Sequence, residues 1–184
     1  LLILGCTLTA HAAAESVWQC PTERMPWESR MGAVAFPGTV EGPAILAGGQ
    51  SGTGVLNDVW STHDGTAWTR RTTRARWSAR EAAAGVVAAD GTLILVGGSP
   101  SPGQALNDVF QSVDGGAVWT TVTPAAAWTP RYAHVAMVVP GTGAPAVVGG
   151  ATASGVAFNE AGVSTNGGLR RVPPLTEATW APPR

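Results

Sequence analysis

Short apolar runs, each ending in a pair of glycines, recur along this chain about every fifty residues. The runs are AILAGG, LILVGG and AVVGG, and their glycine pairs are Gly48-Gly49, Gly97-Gly98 and Gly149-Gly150. Apolar runs this short, bounded by glycine, predict β-strands rather than helices. Three copies at a fixed period predict a repeat architecture.

Polar and aromatic landmarks follow each glycine pair in the same order. An Asn followed by an acidic residue comes first, then a glycine turn with an aromatic residue, then a second tryptophan. The members are Asn57-Asp58, Trp68 and Trp77; Asn107-Asp108, Trp119 and Trp128; and Asn159-Glu160, Arg171 in the aromatic place, and Trp180. An arginine, Arg80 or Arg131, follows the second tryptophan in two repeats. Short strands and glycine turns at this period are typical of propeller blades.

The second repeat predicts four strands, which are 82–89, Thr92–Val96, Asp108–Val113 and Val118–Val122. Asp90-Gly91 and Asp114-Gly115-Gly116 are the turns that hairpins favour. Four antiparallel strands per repeat make one blade. The sequence therefore predicts an all-β fold, a β-propeller of four-stranded antiparallel blades with about three blades of a larger ring.

The domain division follows from this register. We assign 1–14 to the remnant of a signal peptide and 15–184 to a partial propeller, with 15–30 as a closing strand, 31–80 as blade 1, 81–131 as blade 2 and 132–184 as blade 3. The apolar start and Ala12-Ala13-Ala14 predict export, with a lipoprotein box or an ordinary buried strand as alternatives. Propellers close with four to eight blades, so we expect the ring to be incomplete.

Charge and cysteine content exclude several classes of partner. The net charge is −1 and all the basic residues are arginine, which predicts no nucleic-acid partner. The apolar start is too short to span a bilayer. Of the two cysteines, Cys6 would leave with the signal peptide, so Cys20 is predicted to form a disulfide with a cysteine outside this sequence.

The repeated pattern resembles the kelch repeat. Pro130-Arg131-Tyr132-Ala133-His134 followed by AVVGG fits its frame, as do Arg80 with LILVGG and Trp119, and Arg30 with AILAGG and Trp68. The resemblance implies a β-propeller and a structural role for His134. Its known enzymes include sugar mutarotases and copper-radical oxidases of the galactose oxidase kind.

A second resemblance is to the Asp-box hairpin of sialidase-type propellers. Ser112, Asp114, Gly116 and Trp119 match its pattern S-x-D-x-G-x-x-W. The stretch from Ser61 to Trp68 is a degraded copy with His63 in the aspartate place. The resemblance implies a structural hairpin, in which the aspartate accepts bonds from backbone amides.

Candidate binding residues lie on one predicted face of the propeller. Connections 50–56, 99–105 and 151–157, with 70–80 and 121–131, share that face. The candidates are Arg70, Arg71, Arg74, Arg76, Trp77, Trp128 and Arg131, beside Gln50, Ser51 and Gln104. Tryptophan rings stack on sugars and arginines pair with carboxylates. For Trp77, Trp128 and Arg131 the alternative is a structural role because they recur, and for 70–76 it is a solvated loop.

These residues predict an exported, non-catalytic scaffold that binds protein or glycan through this face. No catalytic residue, cofactor or metal is implied by the sequence. The alternative is a secreted carbohydrate-active enzyme, a mutarotase or oxidase, with catalytic residues outside this sequence. A third hypothesis is a gene remnant, suggested by the weaker third repeat.

Overall fold

The computed structural model describes residues 24–38 and 42–164, and every regular element in those ranges is a β-strand. The strands are β1 (Arg30–Met31), β2 (Val34–Phe36), β3 (Ala44–Ser51), β4 (Gly54–Thr62), β5 (Thr69–Thr72), β6 (Ala84–Val87), β7 (Leu93–Gly98), β8 (Leu106–Ser112), β9 (Thr120–Thr123), β10 (Val135–Val138), β11 (Pro145–Val148) and β12 (Ala161–Val163).

The strands form three antiparallel sheets, each built in chain order. In the first sheet, β1 and β2 both pair with β3 as two parts of one inner strand, and β4 and β5 follow. The second sheet has the order β6-β7-β8-β9, and the third has β10-β11-β12. The inner strands β2, β6 and β10 contact one another in succession. The predicted propeller of antiparallel blades is confirmed; the fourth strand expected in blade 3 lies outside the described residues.

The strands of the second sheet begin and end at other residues than the sequence predicts. The inner strand is shorter than 82–89 because Ala82 has a left-handed φ of 49°. Strand β8 begins earlier than Asp108, since Leu106 pairs with Gly98 across the sheet. The last strand begins only at Thr120, because Trp119 belongs to the preceding turn.

The glycine pairs lie where the loop to the next blade crosses the sheet. Gly48 and Gly97 sit at register shifts in β3 and β7, with φ of 61° and 55°. A Cβ on Gly97 would lie 2.9 Å from the backbone oxygen of Arg131. The next glycine, Gly98, donates its N–H to that oxygen at 2.9 Å. A side chain there would push the crossing loop away, which explains why glycine recurs.

The first core lies between blades 1 and 2. Blade 1 supplies Val34, Phe36, Ile45, Ala47 and Val59, and blade 2 supplies Leu93, Leu95, Phe110 and Trp119. Trp119 is buried at the centre, with its ring 6.0 Å from Phe36 and 6.0 Å from Trp77 between centroids. Trp119 therefore fills the wedge between two sheets.

The second core lies between blades 2 and 3 and contains smaller side chains. Its buried members are Ala84, Val86, Ile94, Val96, Val109, Ala126 and Val147. The repeat position that Trp119 holds in the first core is Arg171 in blade 3, and Arg171 lies outside the described residues. A cavity of about 40 Å³ lies among Ile94, Val109, Trp128 and Val147.

The turns after β4 and β8 are held by aspartate carboxylates. Asp114 accepts the amides of Ala117 and Val118, each at 3.0 Å, and the hydroxyl of Ser112. Partial burial opposes the charge of Asp114, but these bonds outweigh it and lower its pKa. In blade 1 the carboxylate is Asp64, not His63: it accepts the amides of Thr66 and Ala67, which lower its pKa to about 2. The turn from Asp64 to Trp68 is therefore one residue shorter than the turn from Asp114 to Trp119.

Several predictions fall on residues outside those described. These are the signal peptide at 1–14, the disulfide of Cys20, most of the closing strand at 15–30, and Trp180. In the described part of 15–30, only Arg30 belongs to a strand. Trp27 packs edge-on against Trp60 and Trp68, at 5.5 Å and 4.5 Å between ring centroids.

Candidate binding face

One side of the propeller is formed by the turns between the second and third strands of each blade and by the loops that join the blades. We call this side the loop face. Glu81, in the loop before β6, exchanges two backbone hydrogen bonds of 2.9 Å and 2.8 Å with Ser99, in the turn after β7. Tyr132 and Ala151 do the same one blade later. These pairs bring the two kinds of connection together, as predicted.

The recurring arginine in each interblade loop links two blades. Arg80 donates its backbone N–H to Leu56 of blade 1, and its carbonyl accepts the N–H of Gly49. Its guanidinium points the other way, into blade 2, where it donates to Asp108 at 2.5 Å and 2.8 Å and to the carbonyl of Gly97 at 2.9 Å. Only 1% of Arg80 is exposed. One residue thus holds a backbone contact on one blade and an ion pair in the next.

The same contact occurs at the two neighbouring blades. Arg30 donates to Asp58 at 2.6 Å and 2.9 Å and to the carbonyl of Gly48. Arg131 pairs with Glu160 and donates to the carbonyl of Gly149 at 2.8 Å. Burial opposes the charge of Asp58, but hydrogen bonds from Arg30 and Trp60 lower its pKa. The three ion pairs are structural, because both partners are largely removed from solvent.

The two residues of the recurring pair, an Asn followed by an acidic residue, have separate uses. Asn57 donates its amide to the carbonyls of Ala75 and Trp77, both at 3.2 Å. Asn107 makes the equivalent bonds to Ala126 and Trp128. The asparagine fixes the loop that leaves its own blade, while the aspartate binds the arginine that arrives from the previous one. The repeat pattern alone predicts neither of these roles.

The structure places Trp77 and Arg131 inside the protein rather than on the loop face. Each is 1% exposed. Trp77 packs against Trp119, and Arg131 stacks over Phe158 at 4.0 Å from the ring centroid. Trp128 is half-buried, beside Arg131. A side chain that is 1% exposed cannot contact a ligand, so for Trp77 and Arg131 the structural alternative is favoured.

Arg70 and Arg71 also lie away from the loop face, in strand β5. Arg70 stacks over the ring of Trp60 at 5.5 Å. Arg71 donates to the backbone carbonyls of Asp114 and Gly115, at 2.8 Å and 3.2 Å, in the hairpin turn of blade 2. The loop predicted at 70–80 begins later, because strand β5 continues to Thr72. Arg70 and Arg71 therefore belong to the outer edge strand of blade 1.

Arg74 and Arg76 are exposed in the loop that follows β5. Neither guanidinium has a hydrogen bond or ion pair with the residues the structure describes. Between them, Ala75 is buried and donates its N–H to Asn57 at 2.8 Å, which holds the loop in place. At the equivalent positions of the next loop stand Ala125 and Ala127. The two arginines are therefore charges that the fold does not require.

A shallow groove of about 450 Å³ lies farther along the loop face, between blades 2 and 3. Gln104, Thr129, Pro130 and Thr152 line it. Gln50 and Ser51 are less open than predicted, since β3 continues through Ser51 and the turn to β4 is only Gly52-Thr53. Ser51 bonds to Thr53 at 2.9 Å and is buried.

His134 is buried near this groove, at the position that Ala33 and Ala83 occupy in the other repeats. Neither ring nitrogen has a hydrogen-bond partner among the described residues, and the ring lies 6.1 Å from that of Trp128. Burial, with the nearby charge of Arg131, lowers the pKa of His134 from its ordinary 6.5 to about 4. The residue is therefore neutral at physiological pH, which suits a packing role.

This pKa predicts an acid-sensitive contribution to stability. The unfolded chain, with a His pKa of 6.5, binds a proton before the folded one does, so stability falls as pH falls from 6.5 toward about 4. The loss attributable to His134 is at most about 3 kcal/mol. The measurement is the free energy of unfolding against pH. In His134→Ala the pH dependence of the free energy of unfolding in this window becomes shallower. Equal slopes for the parent and His134→Ala would contradict the assignment.

Among the described residues, no group of three or more His, Cys, Asp or Glu side chains is placed to hold a metal ion. Within the same ranges, no helix has the length and apolar character needed to cross a bilayer.

Comparisons with known proteins agree with the observed architecture. A family model described as the DUF6242 beta propeller domain matches residues 9–146. No curated protein matches the chain. Among solved structures, 145 chains match, and one of them is described as "Structure of YjhT". It superposes with a TM-score of 0.63 at 15% sequence identity, over 83% of this chain and 48% of that one. The chain thus spans about half the length of that protein, and the likeness shows the fold.

Proposed function

The chain belongs to the DUF6242 beta propeller domain family, and we propose that it is a non-catalytic scaffold whose loop face binds a carboxylate-bearing protein or glycan. The observation that carries this proposal is the pair Arg74 and Arg76. Both are exposed on a loop whose backbone is fixed, and both lack a partner among the described residues. Guanidinium groups bind carboxylates through paired, charge-assisted hydrogen bonds.

The contrast with the other arginines supports this choice. Arg30, Arg80 and Arg131 recur at one position and are neutralised by Asp58, Asp108 and Glu160. Arg74 and Arg76 are not matched in the following loop, where alanines stand. A fold that forms with alanine in one repeat gains nothing structural from arginine in another. Two cations on a held loop, with no partner among the described residues, are better suited to an external anion.

The test uses binding of defined carboxylate probes to the full chain. The probes are an oligogalacturonate and a glutamate-rich peptide, with a neutral oligosaccharide and a serine-rich peptide as controls, measured by calorimetry at low and high salt. We expect a carboxylate probe to bind, more weakly at high salt. We expect Arg74→Ala with Arg76→Ala, which copies the sequence of the next loop, to weaken binding by about tenfold or more.

A charge-matched control separates a site from general attraction. Arg70→Ala with Arg71→Ala removes the same charge from the outer strand, where both arginines already have partners. This variant should retain most of the affinity. Equal losses in the two double variants, or no binding of either carboxylate probe, would contradict the proposal. Which probe binds decides between a glycan and a protein partner.

We also propose that the blades are kelch repeats with hairpins of the Asp-box kind. In support, Arg80 and Arg131 precede the glycine pairs of their repeats by 17 and 18 residues, and Asp64 and Asp114 each accept two backbone amides. Export remains a proposal that rests on the apolar start of the sequence. Measuring the mass of the mature N-terminus tests it: a chain beginning near Glu15 supports export, and retention of the apolar start contradicts it.

A further inference from the structure

A second candidate site lies at the axial end of the loop face, where the repeats differ instead of agreeing. Each recurring arginine is followed by a variable residue and then by a residue with left-handed φ. The variable residues are Met31, Glu81 and Tyr132, and the left-handed ones are Gly32, Ala82 and Ala133, with φ of 61°, 49° and 52°. The backbone is therefore the same at all three places while the side chain before it changes.

Backbone hydrogen bonds join these three places into one row. Ala82 donates its N–H to the carbonyl of Gly32 at 2.8 Å, and Ala133 donates to the carbonyl of Ala82 at 2.8 Å. Each bond runs from one blade to the next at the start of the inner strands. The residues that precede them, Met31, Glu81 and Tyr132, therefore hold equivalent positions in three consecutive blades.

The carboxylate of Glu81 is held in place, and none of the ion pairs among the described residues includes it. With its amide oriented to donate, Gln50 lies 3.0 Å and 2.9 Å from the two carboxylate oxygens. A Cβ on Gly32 would lie 3.4 Å from one of these oxygens. Among the described residues, no Arg or His forms an ion pair with Glu81, whereas Asp58, Asp108 and Glu160 each have an arginine.

We propose that Glu81, flanked by Met31 and Tyr132, binds an alkylammonium group of a ligand at the axial end of the loop face. One amide already occupies the edge of the carboxylate that a planar guanidinium would need for two parallel bonds. A compact ammonium can donate to the remaining lone pairs. A calcium or magnesium ion would need several more oxygen ligands than this row supplies.

The flanking side chains suit the carbon chain that carries such an ammonium. Met31 is 65% exposed, and its thioether adapts to irregular apolar partners. Tyr132, the only tyrosine, offers a ring whose face attracts cations. The site is opposite in charge to Arg74 and Arg76 and shares no residue with them, so the proposal does not depend on the carboxylate site.

The test follows the methyl groups of methionine by nuclear magnetic resonance. The chain has three methionines, so methyl labelling gives few signals, with Met31 at the site and Met137, an exposed residue of strand β10 in blade 3, as an internal reference. The probes are Nα-acetyl-lysine amide and glucosamine, with Nα-acetyl-norleucine amide and glucose as matched neutral controls. We expect an ammonium probe to shift the Met31 signal and leave Met137 unchanged.

Variants make the assignment specific. Glu81→Gln keeps the shape of the side chain and should raise the dissociation constant of the ammonium probe at least about tenfold. Asp90→Asn, which removes an exposed turn carboxylate, and the Arg74/Arg76 double variant should leave the constant unchanged. Equal shifts with the neutral probes, no shift with either ammonium probe, or an unaltered constant in Glu81→Gln would overturn the proposal. Binding of the lysine derivative alone indicates a protein partner, and binding of glucosamine alone indicates an amino sugar.

Discussion

Replacing Asp108 with alanine is expected to lower the free energy of unfolding by about 3–5 kcal/mol. The change removes the carboxylate that pairs with Arg80 at 2.5 Å and 2.8 Å. The guanidinium of Arg80 is 1% exposed and is tied by its backbone to blade 1, so it cannot turn into water to recover its hydration. Breaking a buried pair on one side leaves an uncompensated charge, which costs more than the pair contributes when intact.

Urea unfolding followed by tryptophan fluorescence measures this loss. Asp90→Ala is the control, since it removes the same charge from an exposed turn where Asp90 accepts one amide from Thr92. We expect it to cost no more than about 1 kcal/mol. Similar values for Asp108→Ala and Asp90→Ala would show that the pairing of Arg80 does not hold blades 1 and 2 together.

Trp119→Ala is expected to cost a comparable 3–5 kcal/mol, roughly, through a different mechanism. Trp119 is 2% exposed and lies between Phe36 of blade 1 and Trp77 of the interblade loop. Its indole N–H is satisfied by the carbonyl of Gly116 at 3.0 Å. Removing the ring opens a large cavity between two sheets that are anchored on both sides and can close it only in part.

Trp68→Ala is the matched control, because Trp68 holds the same repeat position in blade 1 but is only half-buried. Among the described residues, the only aromatic ring in contact with Trp68 is that of Trp27, and the indole N–H of Trp68 donates to the carbonyl of Gly65. Equilibrium unfolding of the two variants should show a clearly smaller loss for Trp68→Ala. A larger loss for Trp68→Ala than for Trp119→Ala would mean that the first core is not centred where the structure places it.

The propeller could be predicted from the sequence because its signals are local and repeated. Glycine pairs, turn aspartates and short apolar runs each report on a few neighbouring residues, and three copies remove the ambiguity of any one. The strand ends were less predictable. Ala82 interrupts an apolar run by adopting a left-handed φ of 49°, which alanine by itself disfavours and which the contacts of the loop impose.

The roles of the polar residues were harder to predict from the sequence, because their partners are distant in sequence. Asp108 binds Arg80, 28 positions away and in the preceding loop. Nothing near Asp108 in the sequence indicates which arginine that is. Asp64 replaces His63 in its hairpin because the turn is shorter by one residue, a change visible only in the bonds it makes.

The candidate binding residues show the limit of reasoning from recurrence. Trp77 and Arg131 were candidates as large or charged residues in a loop, yet the loop turns them inward. Arg70 and Arg71 belonged to the same charged run as Arg74 and Arg76, and only the continuation of β5 to Thr72 separates the two pairs. The repeat pattern does not point to Glu81, because a different residue stands at its position in each copy.

We propose that recurring polar residues build the blades while Arg74 and Arg76 bind a ligand. Stability and affinity, measured on the same two variants, test this division of roles most directly. For the Arg74/Arg76 double variant we predict an unchanged free energy of unfolding and a loss of carboxylate binding of about tenfold or more. For Asp108→Ala, in buffer where it is folded, we predict reduced stability and the parent affinity. A destabilised Arg74/Arg76 variant, or a folded Asp108→Ala variant that no longer binds, would contradict this division of roles.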